Sequence, residues 1–284
     1  MTSSAPGPVL TLNDGNLIPQ LGFGVFQVPP KDTAKVTSDA FEAGYRHIDT
    51  AQMYGNEQGV GEALAASGLA REDVYITTKL NNGFHRPSDA RDEFAKSLER
   101  LGTDHVDLFL IHWPLPTKYD GDYVSTWETL IEFKEDGRAR SIGVSNFQVG
   151  HLTRLAAETA VVPAVNQIEV HPYFCNEDVR EADLAAGILT EAWSPIAQGA
   201  VLDDPVITGI AGKLGRTPSQ VTLRWHIQRG DVVFPKTLSP VRMRENAGIF
   251  DFELGPDDLA AITALDRGES GRRGPNPSTF DWIP

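Results

Sequence analysis

The segment YRHIDTAQMYGNE, residues 45–57, connects a short strand-like run to a polar loop. The run ends in a carboxylate, Asp49, and the loop after it carries a tyrosine, Tyr54. A charge at the end of a buried strand is costly unless another group pairs with it. The segment therefore predicts a strand whose last residue is retained for a partner elsewhere in the chain.

Seven further runs of apolar and β-branched residues alternate with helical patterns along the chain. They are LGFGV from Leu21, VYITTK from Val74, VDLFLIH from Val106, RSIGVS from Arg140, AVNQIEV from Ala164, ILTEAWS from Ile188 and DVVFPK from Asp231. Together with the run from Tyr45 they predict strands at a spacing of roughly 30 residues, which is typical of a (β/α)8 TIM barrel of the α/β class. The main alternative, a doubly wound sheet, predicts a Gly-x-Gly-x-x-Gly turn. The nearest match, GFGVFQ at residues 22–27, lacks the third glycine.

Both ends of the chain add elements to the barrel. The runs VLTL (9–12) and LIPQLG (17–22) flank the turn-forming residues NDGN, which predicts an N-terminal β-hairpin. A capping box at residues 217–220 and an apolar stripe at Leu259, Ile262 and Leu265 predict additional C-terminal helices. We expect one domain over residues 1–284, with residues 268–284 as an irregular loop over one barrel mouth. Earlier in the chain, Ser88 is predicted to cap a helix that ends at Gly102.

Bulk properties narrow the classes of function. The 284 residues carry a formal net charge of −14 and a pI near 4.9, so binding of nucleic acid or anionic membranes is not expected. The longest apolar run, VDLFLIHW, is too short to cross a bilayer. The only cysteine is Cys175, and MTSSAPGPVL lacks the pattern of a signal peptide. These features together favour a cytoplasmic protein.

The predicted strands end in polar or aromatic side chains, and in this fold the chemistry sits at the carboxyl ends of the strands. These residues are Asp49, Tyr54, Lys79, His112, Trp113, Ser145, Asn146, Asn166, Gln167, Trp193, Ser194, Lys236 and Thr237. Taken singly, each has an ordinary structural explanation, such as capping, packing or a lysine stem reaching solvent. Taken together, so many buried polar groups at one rim indicate a functional site.

Four of these residues fit a proton-donating site. A tyrosine has a pKa of about 10, and a nearby ammonium favours its phenolate and lowers that pKa. Lys79 is the candidate ammonium, Asp49 the carboxylate that keeps it charged, and His112 a group that orients a carbonyl oxygen. Tyr54 is then a general acid for an oxygen that gains negative charge.

The chain shows no Ser-His-Asp pattern, no GxSxG elbow and no metal-ligand spacing, so a bound hydride donor is the expected second half of the reaction. Trp193 offers a stacking face, and Asn146 and Gln167 can hold an amide. Lys236, Arg242 and Arg244 surround a predicted helix start, which is a suitable anion site. The alternative for this cluster is a solvated helix face.

Three segments resemble signatures of the aldo-keto reductase family. They are GYRHIDTAQMYGNEQGVG (44–61), RSIGVSNF (140–147) and FPKTLSPVRMREN (234–246), of which the last departs at Phe234 from the usual aliphatic residue. The resemblance covers nearly the whole chain and is strongest to bacterial members of the diketogluconate-reductase type. It implies a monomeric barrel that reduces aldehydes and ketones with NADPH and uses no metal.

The resemblance also implies roles for individual residues. It places the catalytic tyrosine, aspartate, lysine and histidine on Tyr54, Asp49, Lys79 and His112. It places the cofactor contacts on Ser145, Asn146, Gln167, Trp193, Ser194, Ile196, Gln198, Lys236, Thr237, Leu238, Arg242, Glu245 and Asn246. Many members carry a pocket tryptophan where this chain has Asn81, so Phe26, Trp113 and Asn81 are the candidate substrate contacts, with Trp282 as a further candidate for the apolar wall.

Two other functions compete with this interpretation. A regulatory barrel that binds NADPH with little turnover would share the cofactor residues, but nothing at the four catalytic positions favours it. A metal-dependent hydrolase on the same fold would require a His-x-His pair after the first strand, and the sequence has none there.

Overall fold

A computed structural model of the chain describes residues 7–284. Residues 1–6, on which part of the signal-peptide expectation rests, lie outside the described residues. The chain enters through an antiparallel hairpin formed by β1 (Val9–Thr11) and β2 (Leu17–Pro19). The predicted hairpin is therefore confirmed.

Eight parallel strands follow and form one sheet in chain order. They are β3 (Phe23–Gly24), β4 (His47–Asp49), β5 (Tyr75–Leu80), β6 (Val106–Ile111), β7 (Ala139–Ser145), β8 (Val165–Glu169), β9 (Leu189–Trp193) and β10 (Val232–Val233). The sheet closes on itself because Gly22 N donates to Val233 O (2.8 Å) and Val233 N donates to Gln20 O (3.1 Å). All eight predicted strands and the (β/α)8 barrel are thus confirmed.

Ten helices accompany the strands within residues 7–284. They are α1 (Pro30–Glu42), α2 (Glu57–Ala66), α3 (Pro87–Leu101), α4 (Val124–Glu135), α5 (Val149–Glu158), α6 (Glu177–Ala185), α7 (Pro205–Leu214), α8 (Pro218–Gln228), α9 (Pro240–Ala247) and α10 (Pro256–Thr263). The capping box at the start of α8 is formed reciprocally by Thr217 and Gln220, as predicted. No helix in this part of the chain combines the length and the apolar character needed to cross a membrane.

The predicted start of α3 is wrong by two residues. The helix begins at Pro87, with Arg86 at the N-cap, and Ser88 lies inside the first turn. Proline fixes the φ angle required at the first helical position, has no N–H to satisfy and keeps Arg86 extended. The proline therefore determines the start of the helix, and the end at Gly102, in the left-handed conformation, agrees with the prediction.

The barrel interior is apolar at one end and polar at the other. Two hairpin residues, Leu12 and Ile18, pack with interior strand residues that include Tyr75, Leu108 and Val232. Toward the carboxyl ends of the strands the interior instead contains buried polar residues, among them Asp49, Lys79, Gln167 and Glu191. The hairpin therefore closes the amino-terminal mouth, and the polar groups collect beneath the carboxyl-terminal mouth.

Candidate active site

A cavity of about 480 Å³ opens at the carboxyl-terminal mouth of the barrel. Its walls come from loops after several strands and from the C-terminal segment 268–284, called the tail below. The lining residues are Phe26, Gln27, Met53, Tyr54, His112, Trp113, Ser145, Asn146, Gln167, Trp193, Ser194, Gln198, Arg273, Gly274, Pro275, Phe280 and Trp282.

A buried ion pair lies at the base of this cavity. Lys79 on β5 is fully buried, and its Nζ donates to both carboxylate oxygens of Asp49 on β4, each at 2.8 Å. A third bond runs from Lys79 Nζ to the Thr50 carbonyl oxygen at 2.8 Å. The Asp49 charge raises the pKa of Lys79, so the amine stays protonated despite its burial. The partner that the sequence required for Asp49 is therefore Lys79.

The loop that carries Tyr54 is fixed from beneath. Residues Gln52–Tyr54 form one 3-10 turn that ends at Gly55, whose φ of 64° lies in the left-handed region. The buried Asn56 accepts from Thr50 Oγ1 (2.8 Å) and donates to the Val25 carbonyl oxygen (2.9 Å). The side chain of Asn56 thus ties the loop to two neighbouring segments and limits movement of Tyr54.

Tyr54 faces both Lys79 and His112. The Lys79 Nζ lies 3.5 Å from the Tyr54 hydroxyl oxygen, and the rings of Tyr54 and His112 meet edge to face with centroids 5.7 Å apart. The net effect on the phenol differs from the sequence prediction, because burial raises the pKa of Tyr54 and the nearby Lys79 only partly offsets that rise. The expected lowering is therefore wrong for this state, although Lys79 does favour the phenolate.

His112 is a neutral imidazole in this setting. Burial and the neighbouring Lys79 charge hold the pKa of His112 well below its usual value. Its Nδ1 has no hydrogen-bond partner among the described residues. A neutral ring beside Tyr54 can orient a carbonyl oxygen but does not compete with the phenol as an acid at neutral pH.

A hydrogen-bond chain connects the opposite side of the cavity. Asn146 follows β7 with a φ of 65°, which turns its side chain back to donate to the His112 carbonyl oxygen (3.0 Å). Trp193 Nε1 donates to Asn146 Oδ1 (2.9 Å), and Ser145 Oγ donates to the Gln167 carbonyl oxygen (2.8 Å). These contacts hold the Trp193 indole in place at the cavity wall.

Two carboxylates determine the orientation of the Gln167 amide. Gln167 Nε2 donates to Asp49 Oδ2 and to Glu191 Oε2, both at 2.8 Å. Both N–H groups are then used, so the carbonyl oxygen remains as the free acceptor of this amide. Glu191 is fully buried on β9, and burial together with the Asp49 charge raises its pKa to about 8.

The basic cluster around α9 lies outside the residues that line the cavity. Lys236, Leu238, Arg242 and Glu245 are exposed, Thr237 is half-buried, and the buried Asn246 accepts from Ser219 Oγ. Ser239 caps the helix, with Arg242 N donating to Ser239 Oγ (3.4 Å). Within residues 7–284, neither Lys236, Arg242 nor Arg244 forms an ion pair. Two unpaired cations, Lys236 and Arg242, therefore lie near the N-terminus of α9, whereas Arg244 lies in its last turn and the predicted placement of Arg244 at the helix start is wrong.

The remaining predicted residues separate into two groups. Phe26, Trp113, Trp282, Ser194 and Gln198 line the cavity. Asn81 and Ile196 do not: Asn81 Oδ1 accepts from Gly83 N and caps a short turn, and Ile196 packs against the hydrophobic core.

Several lining residues were not identified from the sequence. Gln27 and Met53 are next to the predicted residues Phe26 and Tyr54, but no sequence motif marks them as cavity residues. Arg273, Gly274, Pro275 and Phe280 belong to the tail, which the sequence analysis placed over one mouth while naming only Trp282 as a contact. Leu189, Glu191 and Trp193 are every second residue of β9, so their side chains lie on the same face of the sheet. Strand periodicity could therefore have placed Glu191 inside the barrel.

Comparison with known proteins agrees with this architecture. The profile of the Aldo/keto reductase family matches residues 20–267. An aldo-keto reductase of Mycolicibacterium smegmatis is 50% identical over 97% of this chain and 98% of its own. A methylglyoxal reductase DkgA of Yersinia pestis is 48% identical over 96% and 97%, respectively. A crystal structure of mutant Gox0644 in complex with NADPH superimposes with a TM-score of 0.92 at 43% identity, covering 97% of this chain and 99% of the other.

The chain belongs to the aldo/keto reductase family. It is an NADPH-dependent oxidoreductase that reduces carbonyl compounds. The comparisons offer no support for the regulatory alternative.

Proposed function

We propose that this protein reduces small aldehydes, ketones and dicarbonyls to alcohols, with Tyr54 as the general acid. The observation that carries the proposal is the connected set of Asp49, Lys79 and Tyr54 at the base of the cavity. A buried, charged lysine next to a phenol is useful when that phenol must give up its proton.

Each of the four catalytic candidates has a separate role in the proposed reaction. The neutral His112 ring orients the carbonyl oxygen toward the phenol, and Tyr54 donates its proton as that oxygen gains charge. An alkoxide is a much stronger base than a phenolate, so the transfer is favourable even with a raised pKa of Tyr54. The Lys79 ammonium stabilises the phenolate that results, and Asp49 keeps the amine charged and directed.

The chain offers suitable groups for NADPH, which supplies the hydride when bound. The free carbonyl oxygen of Gln167 can accept from a carboxamide, and the Trp193 indole offers a face for stacking. Ser145 and Asn146 are adjacent, and residues 194–198 border the same side. In this proposal the phosphate-bearing adenosine end binds to Lys236 and Arg242, together with Thr237, Leu238, Glu245 and Asn246.

A second proposal concerns the substrate. The aromatic side chains of Phe26, Trp113 and Trp282 provide an apolar wall, whereas Asn81 does not line the cavity. Methylglyoxal is a suitable first substrate because a relative that is 48% identical carries the name methylglyoxal reductase.

We also propose that the protein acts as one domain over residues 1–284, as a monomer in the cytoplasm. The tail contributes to the cavity, which supports its belonging to the barrel domain. The single cysteine supports a reducing compartment. Light scattering after size exclusion tests the monomer directly.

The experiment for the reaction compares two tyrosine variants. Tyr54→Phe should lower methylglyoxal reduction by roughly 100-fold or more while leaving NADPH affinity, measured by fluorescence titration, nearly unchanged. Tyr75→Phe is the matched control, because the buried Tyr75 hydroxyl has no partner within residues 7–284. Full turnover of Tyr54→Phe would remove Tyr54 from the role of acid.

The phosphate contacts have their own experiment. Arg242→Ala should weaken NADPH binding by roughly 10-fold more than NADH binding, because only NADPH carries the additional phosphate. Equal losses for both cofactors would remove Arg242 from that role.

A further inference from the structure

Arg267, just before the tail, and the two tail arginines Arg272 and Arg273 lie in different environments. The Arg267 guanidinium stacks on Tyr173 at 3.5 Å from the ring centroid. Arg272 stacks on Phe174 and forms an ion pair with Glu269 at 2.7 Å. Within residues 7–284, Arg273 forms neither an ion pair nor a side-chain hydrogen bond, and it is the arginine that lines the cavity.

The backbone at Arg273 is held in place by one buried carboxylate. Glu169, at the end of β8, accepts from Arg273 N through one oxygen and from Gly274 N (2.9 Å) through the other. His171 Nε2 lies 2.9 Å from the first of these oxygens. The two amide bonds fix the tail where it crosses the mouth, so the backbone of Arg273 has a defined position at the rim, where the residue is exposed.

Arg273 also dominates the charge of the cavity. It is the only lysine or arginine among the lining residues of the described chain, and none of those residues is an aspartate or glutamate. The charge of Lys79 beneath the base is balanced by Asp49 at 2.8 Å. His112 is neutral. Among the lining residues, an anion that enters the cavity therefore meets one positive group, and the carboxylate behind it, Glu169, is buried and engaged by two backbone amides.

We propose that Arg273 forms a subsite for an oxyanion on the substrate, so that carbonyl compounds bearing a carboxylate or a phosphate ester are preferred over neutral ones of similar size. This proposal rests on the carbonyl reduction proposed above. The guanidinium presents a planar fork of donors that matches both oxyanions. In a chain with a net charge of −14, long-range attraction for anionic substrates is absent, so a local cation is needed to hold them.

The test uses pairs of substrates in which one member carries the anionic group and the other is neutral. Succinic semialdehyde supplies a carboxylate, its methyl ester is the neutral counterpart, and glyceraldehyde 3-phosphate beside glyceraldehyde provides the phosphate arm. In Arg273→Met, kcat/KM for the anionic members should fall by about 10- to 100-fold, mainly through KM, with the neutral members changed less than about twofold. Arg273→Lys should retain part of the preference. Loss in only one arm would identify which oxyanion the subsite takes.

Controls separate this inference from the alternatives. Arg140→Met, at an exposed position on the opposite end of β7, should leave all four substrates unchanged. An equal loss for charged and neutral substrates would overturn the subsite, as would an unchanged preference. Weaker NADPH binding by Arg273→Met in fluorescence titration would assign the cation to the cofactor diphosphate and also overturn it. Reduction of neutral aldehydes by the wild type tests the proposed function independently.

Discussion

Glu191 provides a quantitative test of the electrostatics beneath the cavity. One of its carboxylate oxygens accepts from Gln167, and the other has no partner among the described residues. The charged groups that act on it are Asp49 and Lys79, and it in turn influences Tyr75. Its pKa of about 8 means that the folded protein holds this carboxyl mostly protonated at neutral pH, whereas the unfolded chain ionises it.

The direction of the pH effect follows from this difference. A carboxyl with a higher pKa in the folded state stabilises most below its unfolded pKa, and that contribution is lost as the pH rises through the folded pKa. The rise of the Glu191 pKa from 4.5 to about 8 corresponds to about 5 kcal/mol in total. Roughly half of that free energy is lost between about pH 6 and about pH 9.

Glu191→Gln removes the ionisation and keeps an acceptor for Gln167. We expect the free energy of unfolding of the variant, relative to wild type, to rise by about 2–3 kcal/mol from about pH 6 to about pH 9. Urea unfolding followed by tryptophan fluorescence at each pH measures it. Glu128→Gln, at an exposed glutamate that forms no ion pair within residues 7–284, is the matched control and should parallel wild type. Parallel curves for Glu191→Gln as well would refute the reasoning.

The same titration should affect catalysis. An ionised Glu191 adds a second negative charge near Lys79, which then stabilises the Tyr54 phenolate less. We expect kcat/KM of wild type to decline above about pH 8 and this decline to be smaller in Glu191→Gln. Coincident pH profiles would show that Glu191 does not act on the acid.

Three further predictions follow from other contacts. Lys79→Met should lower the unfolding free energy by about 3–5 kcal/mol, because Asp49 is left as a buried unpaired charge. The double variant Lys79→Met/Asp49→Asn should recover stability but not carbonyl reduction. A recovered reduction rate would contradict the role of Lys79. Asp183→Asn should gain roughly 3 kcal/mol over wild type from about pH 4 to about pH 7, since burial raises the pKa of Asp183 to about 7; a pH-independent difference in urea unfolding would contradict this. Gly274→Ala would place its Cβ 2.4 Å from the Trp193 ring, so KM for the carbonyl or for NADPH should rise several-fold; unchanged constants would show that the contact relaxes freely.

The barrel could be predicted from the sequence because the signals for its strands and helices are local. Each strand and helix shows its own periodicity, and the signal at β5 or β6 needs no knowledge of distant residues. The same is true of the polar residues at strand ends, because parallel strands bring their carboxyl ends to one mouth. Asp49 and Lys79 lie on adjacent strands, which is why their pairing could be expected.

The features that the sequence could not predict depend on how deeply a group is buried and on contacts between residues far apart in the chain. The pKa of Tyr54 is a balance between burial and the Lys79 charge, and only coordinates show that burial dominates. The hydrogen bond from Arg273 N to the Glu169 carboxylate joins residues that are 104 positions apart, so no local sequence pattern predicts it. At α3 two local signals competed, and Pro87 rather than Ser88 determined the helix start.

The closure of the barrel has a consequence for its motions. The seam between β3 and β10 joins two-residue strands, whereas β5 and β6 pair along four positions. Gly24 permits the backbones to approach, because a Cβ there would lie 2.8 Å from the Phe234 carbonyl oxygen. Because so few hydrogen bonds join β3 to β10, we expect the barrel to open locally at this seam first. The backbone amides of the seam should therefore exchange with deuterium before those of the other strands. Since Lys236 follows only two residues after Phe234, each such opening should also disturb the basic cluster that we propose binds the cofactor phosphate, and cofactor occupancy should then slow that exchange.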